Sequence, residues 1–202
     1  MAMTAAADSG LHPGFADPGL DSQRVFRAVL EAMARPGTIV GLPARAAGPA
    51  PLDAATTAIL LALADYETPV WLDGAADQPQ VAGYLRFHCG CPLTADPKAA
   101  AFAVIAAPMG MPPLSAFNLG SDEYPDRSTT VIVQVATLTE GAPWELGGPG
   151  IRDGARLAAG GFPPGFRRWV ADNHELFPCG VDLVFTCGDA LTALPRSTRL
   201  EG

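Results

Sequence analysis

Lysine is nearly missing from this 202-residue chain: Lys98 stands alone against twelve arginines, so any amine chemistry rests on one side chain. Charge of either sign is scarce, at 17% of residues, and acidic groups prevail for a formal net charge of −8. Such a surface repels long polyanions, which argues against a nucleic-acid binder without a local basic patch. Long hydrophobic runs are also lacking. The longest, residues 99–107, has nine residues, about half of what a membrane-spanning helix needs. No basic residue precedes Arg24, so the positive region that opens a signal peptide is absent. Four cysteines are too few for a disulfide scaffold in a domain of this size. The expectation is a cytoplasmic chain with no nucleic-acid or membrane partner.

What the chain does have is apolar bulk: 49% hydrophobic residues and a mean hydropathy of +0.19, enough for a full core. Residues 1–20, rich in Ala, Gly, Pro and Asp, read as a mobile arm, and 21–202 as a single α/β domain. A helix is expected after Asp21 or Ser22, with Val25, Phe26, Val29, Leu30 and Met33 as its core stripe. Arg24, Arg27, Glu31 and Arg35 share the opposite arc, and Pro36-Gly37 stops the helix. Thr38–Val40 reads as a short strand, and residues 53–65 as a helix apolar nearly all round. A strand at 68–72, a helix at 78–87 and a strand at 102–106 follow. Residues 129–135, mostly β-branched, give the strongest strand pattern. A last helix at 164–177, buried through Phe166, Trp169, Val170, Leu176 and Phe177, precedes a buried strand at 181–186. Helices alternating with apolar strands imply a three-layer α/β/α sandwich around a mixed sheet.

Several features bear on chemistry. Arg24, Arg27 and Arg35 form a guanidinium face suited to phosphate, although a solvated face with Glu31 paired to an arginine is the reading that charged faces favour. The turn 147–152 (GGPGIR) offers Gly148 and Gly150 as an anion nest with Arg152 beside it, or a plain turn. It matches neither the dinucleotide fingerprint nor the phosphate loop. His88, Cys89 and Cys91 lack the C-x₂-C spacing of zinc sites, and an extended chain would aim His88 away from both thiols, so no metal is expected. Glu123 or Asp126 could serve as a general base at a strand end, against a polar loop in which Arg127 pairs with a neighbouring carboxylate. His12 and His174 suggest no triad. Trp144, Phe162, Phe166 and Trp169, set among glycine- and proline-rich turns, are expected near the surface as a partner-facing patch.

Seven segments then follow in order: FADPGLDSQRVFRAVLEAMARPG, LALADYETPVWLD, RFHCGCPL, GSDEYPDRSTTVIVQV, GGPGI, FPCGVDLVF and LPRST. Together they resemble the H-subunit family of the bacterial carbon–phosphorus lyase system for phosphonate utilisation, over about residues 15–200. The Ala- and Pro-rich composition and the CGC of the third segment look like individual variation. The resemblance implies an accessory, homodimeric subunit of a cytoplasmic core complex. That complex supports the step in which phosphonate displaces adenine from ATP to give ribose 1-phosphonate 5-triphosphate, a transferase reaction. It implies a fold similar to the large domain of pyridoxal-phosphate-dependent transferases without the cofactor site, hence no cofactor. It carries no catalytic residues onto this chain. The alternative is an enzyme that binds ATP or phosphonate directly through Arg24, Arg27, Arg35 and the 147–152 turn.

Overall fold

Asp17 accepts a hydrogen bond from the Leu20 N–H at 3.1 Å and Pro18 opens the first turn, so helix α1 (Pro18–Ala34) starts three residues before Asp21. The computed structural model describes residues 12–44 and 46–201. The arm expected over residues 1–20 is therefore helical from Pro18. Residues 12–15 are tied down: the Tyr84 hydroxyl donates to the Pro13 carbonyl, His88 Nε2 meets the His12 carbonyl, and Phe15 packs on the core. Residues 1–11 of that expectation lie outside the described residues.

Helices α2 (Ala54–Leu63), α3 (Pro79–His88) and α4 (Phe166–His174) follow at the expected places. The central sheet has six strands in the order β1-β8-β7-β4-β3-β2. β2 (Val70–Leu72), β3 (Phe102–Ile105), β4 (Thr130–Gln134) and β7 (Asp182–Cys187) run parallel. β8 (Ala190–Leu194) and β1 (Val40–Gly41) are antiparallel to their neighbours, so the sheet is mixed. A second, three-stranded antiparallel sheet joins β6 (Ala155–Leu157), β5 (Trp144–Gly147) and β9 (Arg199–Glu201).

Alternation along the strands divides the core in two. Val104, Ile132 and Val184 face α1, α2 and α3. Ala103, Ile105, Val131, Val133 and Phe185 face α4, the small sheet and the turns around Met111, Leu114 and Phe117. One outer layer is thus helical, while α4 shares the other with β-structure. On that side Phe185 meets the Trp144 and Phe162 rings at centroid distances of 6.0 and 5.2 Å, and Phe162 stacks on Phe166 at 4.2 Å.

Three expectations about faces are corrected here. Trp144 and Phe166 are buried in this aromatic cluster, with Phe162 and Trp169 half-buried beside it, so they form no surface patch. In α1, Val25 and Val29 face inward as expected, but Phe26 and Leu30 are 46% and 50% exposed while Ala28 and Ala32 are buried. At 100° per residue the buried arc is turned by roughly 80° from the expected stripe. Small alanines let α1 approach Ala55 and Ala58 of α2 closely, and that packing outweighs the transfer preference of two large side chains. Leu176 and Phe177 lie beyond the end of α4 and are likewise exposed.

Candidate functional site

Open parallel sheets place ligands beyond the C-terminal ends of their strands. Here that region is filled by the chain itself. The N-terminus of α2 docks over β4 and β7, where the Ala55 N–H donates to the Gly188 carbonyl at 2.9 Å. Asp53 caps α2 by accepting from the Thr56 N–H at 2.7 Å, and its own N–H donates to Gln134 Oε1 at 2.7 Å. The Thr56 and Thr186 hydroxyls share a buried hydrogen bond of 2.8 Å. Burial raises the Asp53 carboxyl above its ordinary value, and burial then the Asp53 charge raise the Cys187 thiol. Beside them, the buried Asp73 carboxylate accepts from the N–H groups of Ala76, Ala106 and Ala107 at 2.8–2.9 Å, tying the end of β2 to the end of β3.

The opposite end of the sheet holds a different construction. Arg196, following β8, forks onto Asp182 at the start of β7, with Nε 3.1 Å from Oδ1 and Nη2 2.5 Å from Oδ2. The same guanidinium donates to Ser128 Oγ and to the carbonyls of Pro125 and Pro178. Three of the seven family-like segments, GSDEYPDRS, FPCGVD and LPRST, therefore meet at one ion pair whose side chains are only 13% and 16% exposed. Sequence reasoning passed over both residues. The available signal was an acid opening a buried strand and an arginine closing its antiparallel neighbour.

The residues singled out from sequence fall elsewhere. Arg24, Arg27 and Arg35 do share an exposed face, but Arg24 pairs with Asp21 at 3.4 Å and Arg35 pairs with Glu31. Arg27 is exposed and enters no ion pair among the described residues. The 148–150 turn packs against the end of α1: a Cβ on Gly150, whose φ is +82°, would stand 2.1 Å from the Ala34 carbonyl oxygen. The turn and Arg35 are thus neighbours in the fold, at the negative end of the helix dipole, which disfavours an anion. Gly148 lines a hollow of about 270 Å³ with His174, Phe177, Ser197 and Arg199, while Arg152 is exposed and outside it. Glu123 and Asp126 are exposed on the loop before β4, at the N-terminal end of the strand, away from the crevice where a general base would sit. Arg127 lies 4.1 Å over the Tyr124 ring instead of pairing with a neighbouring carboxylate. Among the described residues no three His, Cys, Asp or Glu side chains gather as a metal site, and no helix is long and apolar enough to cross a membrane.

Sheet order and layering place the chain among mixed α/β proteins, with both ends of the parallel strands closed by the protein's own hydrogen bonds and exposed apolar side chains on its flanks. The model of the bacterial phosphonate metabolism protein (PhnH) family matches residues 13–201, and the chain belongs to that family. It is 42% identical over 196 residues to the alpha-D-ribose 1-methylphosphonate 5-triphosphate synthase subunit PhnH of Rhizobium meliloti (strain 1021), covering 96% of this chain and 98% of the relative. HtxG of Stutzerimonas stutzeri, provisionally named a C-P lyase subunit protein, is 36% identical over 84 residues, 42% of this chain and 43% of its own.

Proposed function

We propose that this chain is a subunit of a carbon–phosphorus lyase core complex and supports the synthesis of ribose 1-phosphonate 5-triphosphate from ATP and a phosphonate. The observation that carries the reading is its near full-length similarity to a synthase subunit, 42% identical over 98% of that protein. The role is accessory: the subunit completes a transferase assembly in the cytoplasm and is silent alone. The flanks support this. Phe26 and Leu30 on α1, and Leu176 and Phe177 after α4, are large exposed apolar groups of the kind that partners cover. A homodimer that joins other subunits of the complex satisfies them, two-fold dimers being the commonest closed assembly.

The architecture is similar, on this reading, to the large domain of pyridoxal-phosphate-dependent transferases. The residues do not fit that cofactor. Lys98, the chain's sole lysine, lies exposed in the short turn Pro97–Ala99 and cannot present an amine at the base of a pocket.

The competing enzyme reading assigns ATP or phosphonate to Arg24, Arg27, Arg35, Gly148, Gly150 and Arg152. Two of those arginines already hold carboxylates of their own helix. In a strain lacking its own subunit, the chain should restore growth on methylphosphonate and co-purify with the other subunits. Alone, it should sediment at twice its 20.9 kDa mass and release no adenine from ATP plus methylphosphonate. Failure to restore growth or to co-purify would sink the subunit reading, and adenine release by the isolated chain would install the enzyme. Arg24→Ala with Arg27→Ala should leave growth intact; lost growth with an intact fold would restore the arginine face as a binding site.

A further inference from the structure

The third family-like segment carries a feature that the phosphonate reading does not absorb, the run Cys89-Gly90-Cys91. An i, i+2 span drawn out as a strand covers roughly 6.6–7.2 Å, at the upper limit of the Cα separation that a disulfide bridges. This span is not drawn out. Cys89 closes α3 in helical geometry (φ −102°, ψ −24°) and Gly90 follows with φ +67° in the left-handed region. The N–H groups of Cys89 and Gly90 both donate to the Leu85 carbonyl, so the two residues wrap around the helix end.

Both thiols consequently face the same core, between α2 and α3. Cys91 is 2% exposed within it, and the half-buried Cys89 packs against it and donates to the Leu60 carbonyl at 3.6 Å. The two sulfurs are also close enough to influence each other's protons. The neighbouring Cys89 thiol is the main cause holding Cys91 below the ordinary thiol range, against burial and the charge of Asp65. Cys91 in turn, together with burial, raises the Cys89 thiol, so the two titrate as a pair. Gly90 is exposed, and a Cβ placed on it would meet nothing within 4 Å, so the outer side of the turn is open. The other cysteines stand apart and singly: Cys179 donates to Asp122 and Cys187 to the Ala136 carbonyl.

We propose that Cys89 and Cys91 form a dithiol–disulfide couple that exchanges with a small-molecule disulfide. Cys91 gives up the first proton, and its thiolate takes the Cys89 proton as the half-buried Cys89 sulfur attacks the incoming disulfide, forming a mixed disulfide and expelling one thiolate. Cys91 then attacks Cys89 Sγ, closing the 89–91 bond and expelling the second thiolate. The dithiol is oxidised by two electrons, the incoming disulfide is reduced to two thiols, and the two cysteine protons end on those thiols. Closure removes the S–H donor that ties the end of α3 to the Leu60 carbonyl of α2.

The test equilibrates the full chain with defined ratios of oxidised to reduced glutathione, quenches with acid, alkylates and maps the peptides. Alkylatable thiols should fall from four to two, with peptide 87–98 lighter by two hydrogens and Cys179 and Cys187 still alkylated. Cys179→Ser with Cys187→Ser should preserve the closure. Cys91→Ser should accumulate glutathione on Cys89, and peptide mapping of the unaltered chain decides the matter if that variant fails to fold. Four alkylatable thiols at every ratio would overturn the proposal. So would a stable glutathione adduct on the unaltered chain, or oxidation confined to Cys179 or Cys187.

Discussion

Asp73 and Asp182 sit at opposite ends of the parallel strands and are held in opposite ways. Asp73 is satisfied by three backbone N–H groups from segments that follow it within 34 residues. Asp182 is satisfied by a guanidinium that also gathers Ser128 and the Pro125 and Pro178 carbonyls. The first closes a neighbouring pair of strand ends with neutral dipoles. The second clamps three distant segments with a charge. Segments by which the family can be recognised therefore converge on an architectural tie, and a recognisable motif is no guide to where chemistry occurs.

Breaking the clamp should cost most. Arg196→Ala leaves Asp182 charged and largely buried, with Ser128 and two carbonyls short of a donor, and should cost about 3–5 kcal/mol in urea unfolding. Arg196→Lys restores the charge without the planar fork and should recover only part of that. A loss below about 1 kcal/mol would reduce the clamp to an ordinary surface pair. Asp73→Asn should cost less, about 2 kcal/mol. It keeps one carbonyl acceptor but turns an amide N–H₂ toward backbone donors, leaving at least one of them unpaired. If both variants lost equally, the distinction between charged and neutral closure would fail.

Much of this architecture was legible from periodicity and strand propensity. The helix stop at Pro36-Gly37, the apolar α2 and the strands β4 and β7 all stand where the pattern puts them. The mixed sheet follows from their alternation. Three things were not legible. Ala190-Leu-Thr-Ala-Leu is composed largely of good helix formers, and its strand state is imposed by pairing with β7 across the Gly188-Asp189 turn. β5, β6 and β9 are three or four residues long, too short for periodicity to register. The inward face of α1 depends on how closely Ala28 and Ala32 approach α2, which no single-helix pattern contains. For the candidate site, the sequence showed which arginines share a face and that Glu31 can pair with one of them, but not that Asp21 already holds Arg24.

The crevice end can be probed one hydrogen bond at a time. Thr56→Val and Thr186→Val should each cost about 1–2 kcal/mol, since each strands the other's buried hydroxyl. The double variant should cost clearly less than the sum, because no orphan remains. Strict additivity would mean that the 2.8 Å contact between the two hydroxyls contributes no coupling.

Asp53 supplies the smallest effect and the one with a pH signature. Burial raises its carboxyl above the ordinary value of 3.8, outweighing the helix N–H groups that favour its charge. A raised folded value means that the native state holds this proton more tightly than the unfolded chain does. Between the two values the native state binds more protons, so stability falls as pH rises. The contribution is fully present below the unfolded value and lost as pH climbs through the folded one. Asp53→Asn keeps a side-chain oxygen to cap α2 and has no proton to lose, so it should change stability by less than about 1 kcal/mol at low pH. The difference in urea midpoint between the unaltered chain and the variant, followed from pH 3 upward, should therefore shift against the unaltered chain as pH rises. Parallel curves would show that Asp53 ionises as freely in the folded crevice as in the unfolded chain.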